Sequence, residues 1–177
     1  NMRLGIVATV KDSPYTIESF VRYHLELGFS LIYLFFDDPK DPALSSATHW
    51  EQVRVIPNNA DLKQAWASLD SVLSDVTIRP YPSGGGIPYQ ALAEKYKTAR
   101  QILNVDQAIR LAQQDGIDWL LHIDSDELFY IPGNDFQGHC AALEQAPRDI
   151  VTYYNLEAVP EQLNTERYFE EIQLFKV

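Results

Sequence analysis

A strand–helix–strand pattern at the start of the chain constrains the fold more than any other feature. Leu4–Val10 is a nearly continuous apolar run, which is typical of a central strand covered on both faces. A serine precedes Pro14, so a helix is predicted to begin there and to end at Gly28. Leu31–Phe36 is a second apolar strand. This strand–helix–strand unit predicts a parallel pair of strands joined by a right-handed crossover.

The rest of the chain continues to alternate between predicted strands and helices. Short apolar runs predict strands at Val53–Ile56, Trp119–Ile123, Ile150–Tyr154 and Tyr168–Val177. Helical spacing of apolar residues predicts helices from Leu62 to Leu73, over Gln90–Gln114 and over Phe136–Glu144. Prolines and glycines predict a loop from Pro80 to Pro88. This pattern predicts an α/β sandwich, with a mostly parallel central sheet flanked by helices.

Length and charge limit the class of protein. The 177 residues predict a single domain over 1–177. The 25 acidic and 14 basic residues give a net charge of −11, so we expect neither nucleic acid nor an anionic membrane surface as a partner. Apolar runs stay short of the ~18–20 residues of a membrane span, and the single cysteine, Cys140, fits a reducing compartment. We therefore expect a cytoplasmic protein without an intrinsic membrane span; the sequence does not indicate its oligomeric state.

Polar residues follow three of the predicted strands, at the point where each strand ends. In open α/β sheets, ligands bind at the carboxyl ends of strands, near a switch in strand order. If the strands are parallel, all three sets lie along one edge of the sheet. The sets are Thr9, Lys11 and Asp12; Asp37 and Asp38; and Asp124, Asp126 and Glu127.

The third set contains an Asp-x-Asp motif directly after a strand that we expect to be buried. Two carboxylates so spaced can bind one hard divalent cation, and oxygen ligands favour Mg²⁺ or Mn²⁺. A chain with 14 aspartates contains such a spacing by chance, so the interpretation depends on the strand context. The alternative is a solvated acidic turn that caps the next element.

Three sequence segments, in this order, resemble the GT-A glycosyltransferases, and within them the family-2-like and family-92-like group. The segments are Tyr23–Phe29, with a Tyr-His-x-x-x-Gly pattern; Ile32-Tyr33-Leu34, in a strand that leads to Asp37-Asp38; and Trp119–Phe129, with the Asp-x-Asp motif. The resemblance covers about residues 4–130, the donor-binding part, and leaves about 131–177 as a short acceptor-side part. It implies the GT-A form of the Rossmann-like sandwich.

The resemblance also implies a function and a set of site residues. The activity would be transfer of a sugar from a nucleotide-diphosphate donor, with a UDP-sugar favoured, to a hydroxyl on a glycan, protein or lipid. Asp124 and Asp126 would hold Mn²⁺ or Mg²⁺. Donor-binding residues would be Thr9, Val10, Lys11, Asp37, Asp38, Arg100, Asn104, Asp124 and Ser125.

Several of these residues have a structural alternative. Asp38 could cap its own loop, because Asp37-Asp38-Pro39-Lys40-Asp41 keeps the acids of the related loops but not their amide and hydroxyl. Lys11 could be a surface lysine, and Arg100 and Asn104, one helical turn apart, could lie on a solvent-exposed face. We interpret His24, on the apolar stripe of its helix, as a packing or hydrogen-bonded histidine.

The catalytic base and the reaction class leave further alternatives open. Glu127 and Glu157 are the candidates for the general base that an inverting transfer needs. Glu127 could instead support the metal site, and Glu157 could be a solvated loop residue. A non-catalytic nucleotide-sugar or carbohydrate-binding module on the same scaffold is the main alternative to an enzyme. A phosphatase of the haloacid-dehalogenase type is less favoured, because Leu128 stands where that class has Thr or Val.

Overall fold

A computed structural model describes residues 1–10, 14–69, 89–147, 149–161, 167–172 and 174–176. The described strands are β1 (Leu4–Val10), β2 (Leu31–Phe36), β3 (Val53–Pro57), β4 (Trp119–His122), β5 (Glu157–Val159) and β6 (Leu174–Lys176). The described helices are α1 (Pro14–Leu27), α2 (Leu44–Ala47), α3 (Ala60–Ala67), α4 (Tyr89–Leu92), α5 (Lys97–Gln114), α6 (Phe136–Glu144) and α7 (Tyr168–Glu171).

The central sheet is parallel throughout, as the sequence predicts. Within the described residues it has four strands in the order β3-β2-β1-β4. The chain adds β2 and β3 on one side of β1, and then returns through α5 to place β4 on the other side. The strand order therefore switches between β1 and β4, and ligands of open α/β sheets bind at the carboxyl edge of such a switch.

Helices cover both faces of this sheet, which confirms the α/β sandwich. Successive side chains of β1 point to opposite faces of the sheet. Ile6, Ala8 and Val10 belong to one apolar cluster together with residues of α1 and α6. Val7 belongs to the other cluster, with residues of α3 and α5. Burial on both faces explains why β1 has no polar residue before Thr9.

The predicted helix over Gln90–Gln114 is wrong as one element, because the chain turns between α4 and α5. The N–H groups of Lys95 and Tyr96 both donate to the carbonyl of Leu92, at 3.1 and 2.9 Å, and close the turn. Tyr96 then adopts an extended conformation (φ −120°, ψ 124°) before α5 begins. The predicted helix near Leu62 is found as α3 and ends at Ala67. Its predicted end at Leu73, and the predicted loop Pro80–Pro88, lie outside the described residues.

Strand β4 is less buried than the sequence predicts. It pairs with β1, and in the described part of the chain it is the last strand of the sheet on that side. Its first three residues are half-buried and His122 is exposed. The apolar run Trp119–Ile123 therefore does not indicate a strand that lies between two other strands of the described sheet.

The carboxyl-terminal part departs most from the predicted elements. No regular structure forms over the predicted strand Ile150–Tyr154, where Ile150 is 78% and Tyr154 97% exposed. Instead of one strand over Tyr168–Val177, α7 is followed by β6, which pairs antiparallel with β5. Among the residues that the structure describes, none covers Ile150 or Tyr154 in the way that neighbouring layers cover a central strand. Among the described helices, none is both long enough and apolar enough to cross a bilayer.

Candidate functional site

A short turn after β4 presents the two aspartates of the Asp-x-Asp motif. The Glu127 carboxylate accepts a hydrogen bond from the Asp124 N–H at 3.0 Å (Oε2), and the Glu127 N–H donates to the Asp124 carbonyl at 3.1 Å. This reciprocal pair closes the turn, much as a capping box closes the start of a helix. Asp124 and Asp126 are exposed. Glu127, a candidate base from the sequence, is therefore also a structural part of the turn.

The donor atoms in this turn fit a hard divalent cation. Carboxylate oxygens suit Mg²⁺ and Mn²⁺, and Mg²⁺ in proteins is commonly bound through one or two carboxylates, with water and substrate phosphates completing its coordination. Across the ranges that the structure describes, no three acidic, histidine or cysteine side chains are gathered as a closed metal cage. Residues of this chain that would hold the ion are Asp124 and Asp126, and the remaining coordination positions would belong to water and a diphosphate.

Helix α5 approaches the same turn from the neighbouring face of the sheet. The side-chain amide of Gln101 (Nε2) lies 3.4 Å from Oδ1 of Asp124 and donates to it. Sequence reasoning missed Gln101, although it follows Arg100 directly on the helix. The start of α5 therefore contributes a polar side chain to the edge of the sheet where β4 ends.

Asp37 and Arg100, predicted as separate donor contacts, form an ion pair with each other. The guanidinium donates from Nε to Oδ1 at 2.5 Å and from Nη2 to Oδ2 at 2.7 Å. The third nitrogen, Nη1, donates to the carbonyl of Ala93 at 2.8 Å. The hydrogen bond to Asp37 is the main cause of a raised pKa of Arg100. The solvent-face alternative for Arg100 is therefore wrong, since its side chain is only 18% exposed.

Thr9 and Asn104 also contact each other, beneath the switch point. Asn104 Nδ2 donates to Thr9 Oγ1 at 3.0 Å, and the two residues are 2% and 4% exposed, respectively. The solvent-face alternative is wrong for Asn104 as well. Its Oδ1 atom is buried and finds no hydrogen-bond partner among the described residues. The pair joins the end of β1 to α5 and so supports the edge of the sheet at which β1 and β4 end.

The remaining predicted residues occupy different environments. Val10 is buried, and its carbonyl accepts from the Asp37 N–H at 3.5 Å. Asp38 is exposed and accepts from the Lys40 N–H at 2.9 Å, which is the loop-cap arrangement. Ser125 is buried within the turn Asp124–Glu127. Lys11 lies outside the described residues, as does Asp12.

Glu157, the second candidate base, lies in the two-stranded sheet rather than in the central one. It is exposed in β5, opposite Lys176 of β6. Its assignment as a base stays a prediction.

Two adjacent residues of α1 hold the chain just after the turn Asp124–Glu127. The Tyr23 hydroxyl donates to the carbonyl of Phe129 at 2.9 Å. Nε2 of His24 accepts from the Phe129 N–H at 3.1 Å. Nδ1 of the same ring therefore carries the proton, and it donates to the carbonyl of Phe20 at 2.7 Å. The interpretation of His24 as a hydrogen-bonded core histidine is confirmed, and burial lowers its pKa to about 4. The Tyr-His-x-x-x-Gly pattern contains Tyr23, but it does not predict the contact of this residue with Phe129.

Comparison with known proteins adds a partial similarity. No protein-family model matches the chain, and no solved structure matches it. A glycosyltransferase-like protein of Arabidopsis thaliana is 34% identical over 79 residues, which are 44% of this chain and 18% of that protein. A second glycosyltransferase-like protein of the same plant is 33% identical over 79 residues, which are 44% of this chain and 15% of that protein. The match thus spans less than a fifth of either relative, and it supports a relationship of this chain to glycosyltransferases.

Proposed function

We propose that this chain is a metal-dependent glycosyltransferase domain, with its donor-binding part at about residues 4–130. It would bind a nucleotide-diphosphate sugar, with a UDP-sugar favoured, through Mn²⁺ or Mg²⁺, and transfer the sugar to a hydroxyl acceptor. The observation that carries this proposal is the position of Asp124 and Asp126. Both are exposed on a closed turn at the end of β4, beside the point where the strand order switches. The two glycosyltransferase-like relatives support the same class of reaction.

The charge of the site is the reason why the proposal includes a metal ion. A diphosphate is anionic, and it would meet the exposed carboxylates of Asp124 and Asp126 in a chain of net charge −11. A divalent ion bound there would act as a Lewis acid and stabilise the negative charge that develops on the leaving diphosphate. Arg100 has its Nε and Nη2 groups committed to Asp37. The positive charge of Arg100 is therefore balanced by the Asp37 carboxylate and is not free to neutralise a diphosphate.

The chain's own residues have separable roles in this proposal. Asp124 and Asp126 bind the ion, and Glu127 keeps the turn closed around the Asp124 backbone. Thr9 and Asn104 hold β1 against α5 below the site. Asp37 and Arg100 fix the end of β2 against the start of α5 and present a polar surface to the base or ribose.

Calorimetry of UDP binding with and without Mn²⁺ tests the proposal. In the wild-type protein we expect Mn²⁺ to strengthen UDP binding at least tenfold, and we expect Asp126→Asn to abolish that gain. The matched control is Asp118→Asn, which makes the same change directly before the first residue of β4. There the Asp118 carboxylate accepts a hydrogen bond from the Arg3 N–H. UDP affinity that is independent of the metal in all three proteins would contradict the metal-bridged donor site.

Turnover separates the enzyme from the binding module on the same scaffold. A panel of nucleotide sugars is incubated with Mn²⁺, with and without simple hydroxyl acceptors, and release of the nucleoside diphosphate is measured. We expect release from at least one UDP-sugar and its loss in Asp126→Asn. Metal-dependent UDP binding without release from any donor would favour the binding module.

A further inference from the structure

We infer that Tyr23 and His24 are positioning residues that set the place of the Asp124–Glu127 turn relative to the sheet. The inference rests on the proposed function, because it assigns these two residues to the same metal site. Neither residue touches the ion or the donor in this proposal. Both act through the backbone of Phe129.

The segment after β4 lacks the usual means of holding a backbone in place. Residues 124–130 form neither strand nor helix, so neither a strand ladder nor a helix fixes their N–H and C=O groups. On one side of the turn, the Ile123 N–H donates to the carbonyl of Val7 in β1 at 3.3 Å. On the other side, Tyr23 and His24 bind the C=O and the N–H of Phe129. The turn is therefore anchored at both ends, first to β1 and then to α1.

The second anchor is packed at His24 and at Phe129. His24 is fully buried, and its Nδ1–H bond to Phe20 fixes the ring orientation that points Nε2 at Phe129. The Phe129 ring is 8% exposed and makes edge-to-face contacts with Phe29 at 5.8 Å and with Tyr153 at 4.8 Å between ring centroids. A shift of Phe129 would break two hydrogen bonds and this packing together. Asp126 is only three residues away, so the position of Phe129 limits where the carboxylates can lie.

Removal of one hydroxyl tests the inference with little change in packing. Tyr23→Phe loses only the bond to the Phe129 carbonyl. The matched control is Tyr33→Phe, which removes a hydroxyl that donates to the Asp115 carboxylate at the same distance, 2.9 Å. Asp115 precedes the first residue of β4, whereas the Asp124–Glu127 turn follows its last residue. Tyr33→Phe should lose at least as much thermal stability as Tyr23→Phe, because its hydroxyl donates to a charged carboxylate rather than to a neutral carbonyl. We expect only Tyr23→Phe to speed amide exchange over residues 124–129 and to weaken Mn²⁺ binding, each about 3- to 10-fold, the range that one hydrogen bond represents.

Two changes of the histidine provide a rescue experiment. His24→Leu keeps an apolar side chain but removes the acceptor for the Phe129 N–H. His24→Gln can place its Oε1 near the position of Nε2 and accept that bond again. We expect the amide of Phe129 to exchange faster in His24→Leu and to recover at least half of its protection in His24→Gln. If His24→Leu fails to fold, the Tyr23→Phe and Tyr33→Phe pair still decides the question.

Exchange and metal binding together separate this inference from the proposed function. If wild-type protein binds no Mn²⁺, the metal site of the proposed function fails, and amide exchange alone decides the positioning role. Equal exchange over residues 124–129 in Tyr23→Phe and Tyr33→Phe overturns the inference. Faster exchange in Tyr23→Phe with unchanged Mn²⁺ affinity also overturns it, because the turn would then move without consequence for the site.

Discussion

Arg100 binds both carboxylate oxygens of Asp37 and thereby joins the first turn of α5 to the carboxyl end of β2. The two side chains are 18% and 16% exposed. A fork-to-fork pair of this kind has a more restricted geometry than a pair between flexible surface chains. It brings together two residues that are 63 positions apart in the sequence. The ion pair therefore fixes α5, which also carries Gln101 and Asn104, against the ligand-binding edge of the sheet.

A double-mutant cycle on this pair should give a large coupling energy. We expect Asp37→Asn and Arg100→Gln to be coupled by about 1–3 kcal/mol in the free energy of unfolding, because each single change leaves a half-buried charge without its partner. The control cycle uses Glu18 and Arg22 on α1, an ion pair between side chains that are 44% and 55% exposed. That pair should give about 0.3–0.5 kcal/mol. Equal coupling in the two cycles, measured by urea unfolding, would contradict a structural role of the Asp37–Arg100 pair.

Glu127 can be tested for its two possible roles by a change of charge without a change of shape. Glu127→Gln keeps an oxygen that accepts from the Asp124 N–H, whereas Glu127→Ala removes it. If the turn cap is its main contribution, Mn²⁺ affinity should stay within about 3-fold in Glu127→Gln and fall about 5- to 10-fold in Glu127→Ala. Calorimetry of Mn²⁺ binding measures both. If donor turnover is found, its loss in Glu127→Gln with intact metal binding would instead support the catalytic base.

The first half of the fold could be predicted because burial there is nearly complete. The bounds of β1, α1 and β2 agree with the sequence, since every residue of both strands is buried and apolarity reports directly on burial. The carboxyl-terminal part could not be predicted in this way. Ile150 and Tyr154 are apolar but exposed, so their apolar character does not indicate a buried strand.

The sequence predicts where the polar residues of the candidate site lie on the sheet, but not which residues they contact. Parallel strands put Thr9, Asp37 and Asp124 at one edge, as expected from the strand ends. The contacts of Thr9 with Asn104 and of Asp37 with Arg100 depend on how α5 lies across the sheet. Side-chain partners so distant in the sequence follow from tertiary packing, which a pattern of residue types does not contain.

Gly28 should be far less tolerant of a side chain than Gly133, although both have positive φ. At Gly28 (φ +130°) an added Cβ would lie 2.7 Å from the ring of Phe136 in α6. At Gly133 (φ +69°) an added Cβ would meet nothing within 4 Å. We expect Gly28→Ala to cost about 2–4 kcal/mol, from backbone strain and overpacking, and Gly133→Ala about 1–2 kcal/mol, from strain alone. Thermal or urea unfolding compares them, and similar losses would argue against the close approach of α6 to the end of α1.

Acid should destabilise the protein through His24 in a defined pH window. Burial among aromatic rings, including those of Phe20, Tyr23 and Phe29, lowers the pKa of His24 from 6.5 to about 4 in the folded state. Between these values the unfolded chain binds more protons than the folded chain, so the free energy of unfolding falls as pH falls from 6.5 towards about 4. The full effect is about 3 kcal/mol.

A pH series of urea unfolding on wild type and His24→Gln isolates this effect. Burial also lowers the pKa of His139, which acts in the same direction but is present in both proteins. The glutamine side chain does not titrate. Between pH 6.5 and about 4, the free energy of unfolding should therefore fall less in the variant than in wild type, each measured against its own value above pH 6.5. The same dependence on pH in both proteins would show that His24 is not the buried neutral group. A smaller dependence in the variant would confirm that the acceptor for the Phe129 N–H is an uncharged imidazole, because a protonated ring has no lone pair to offer.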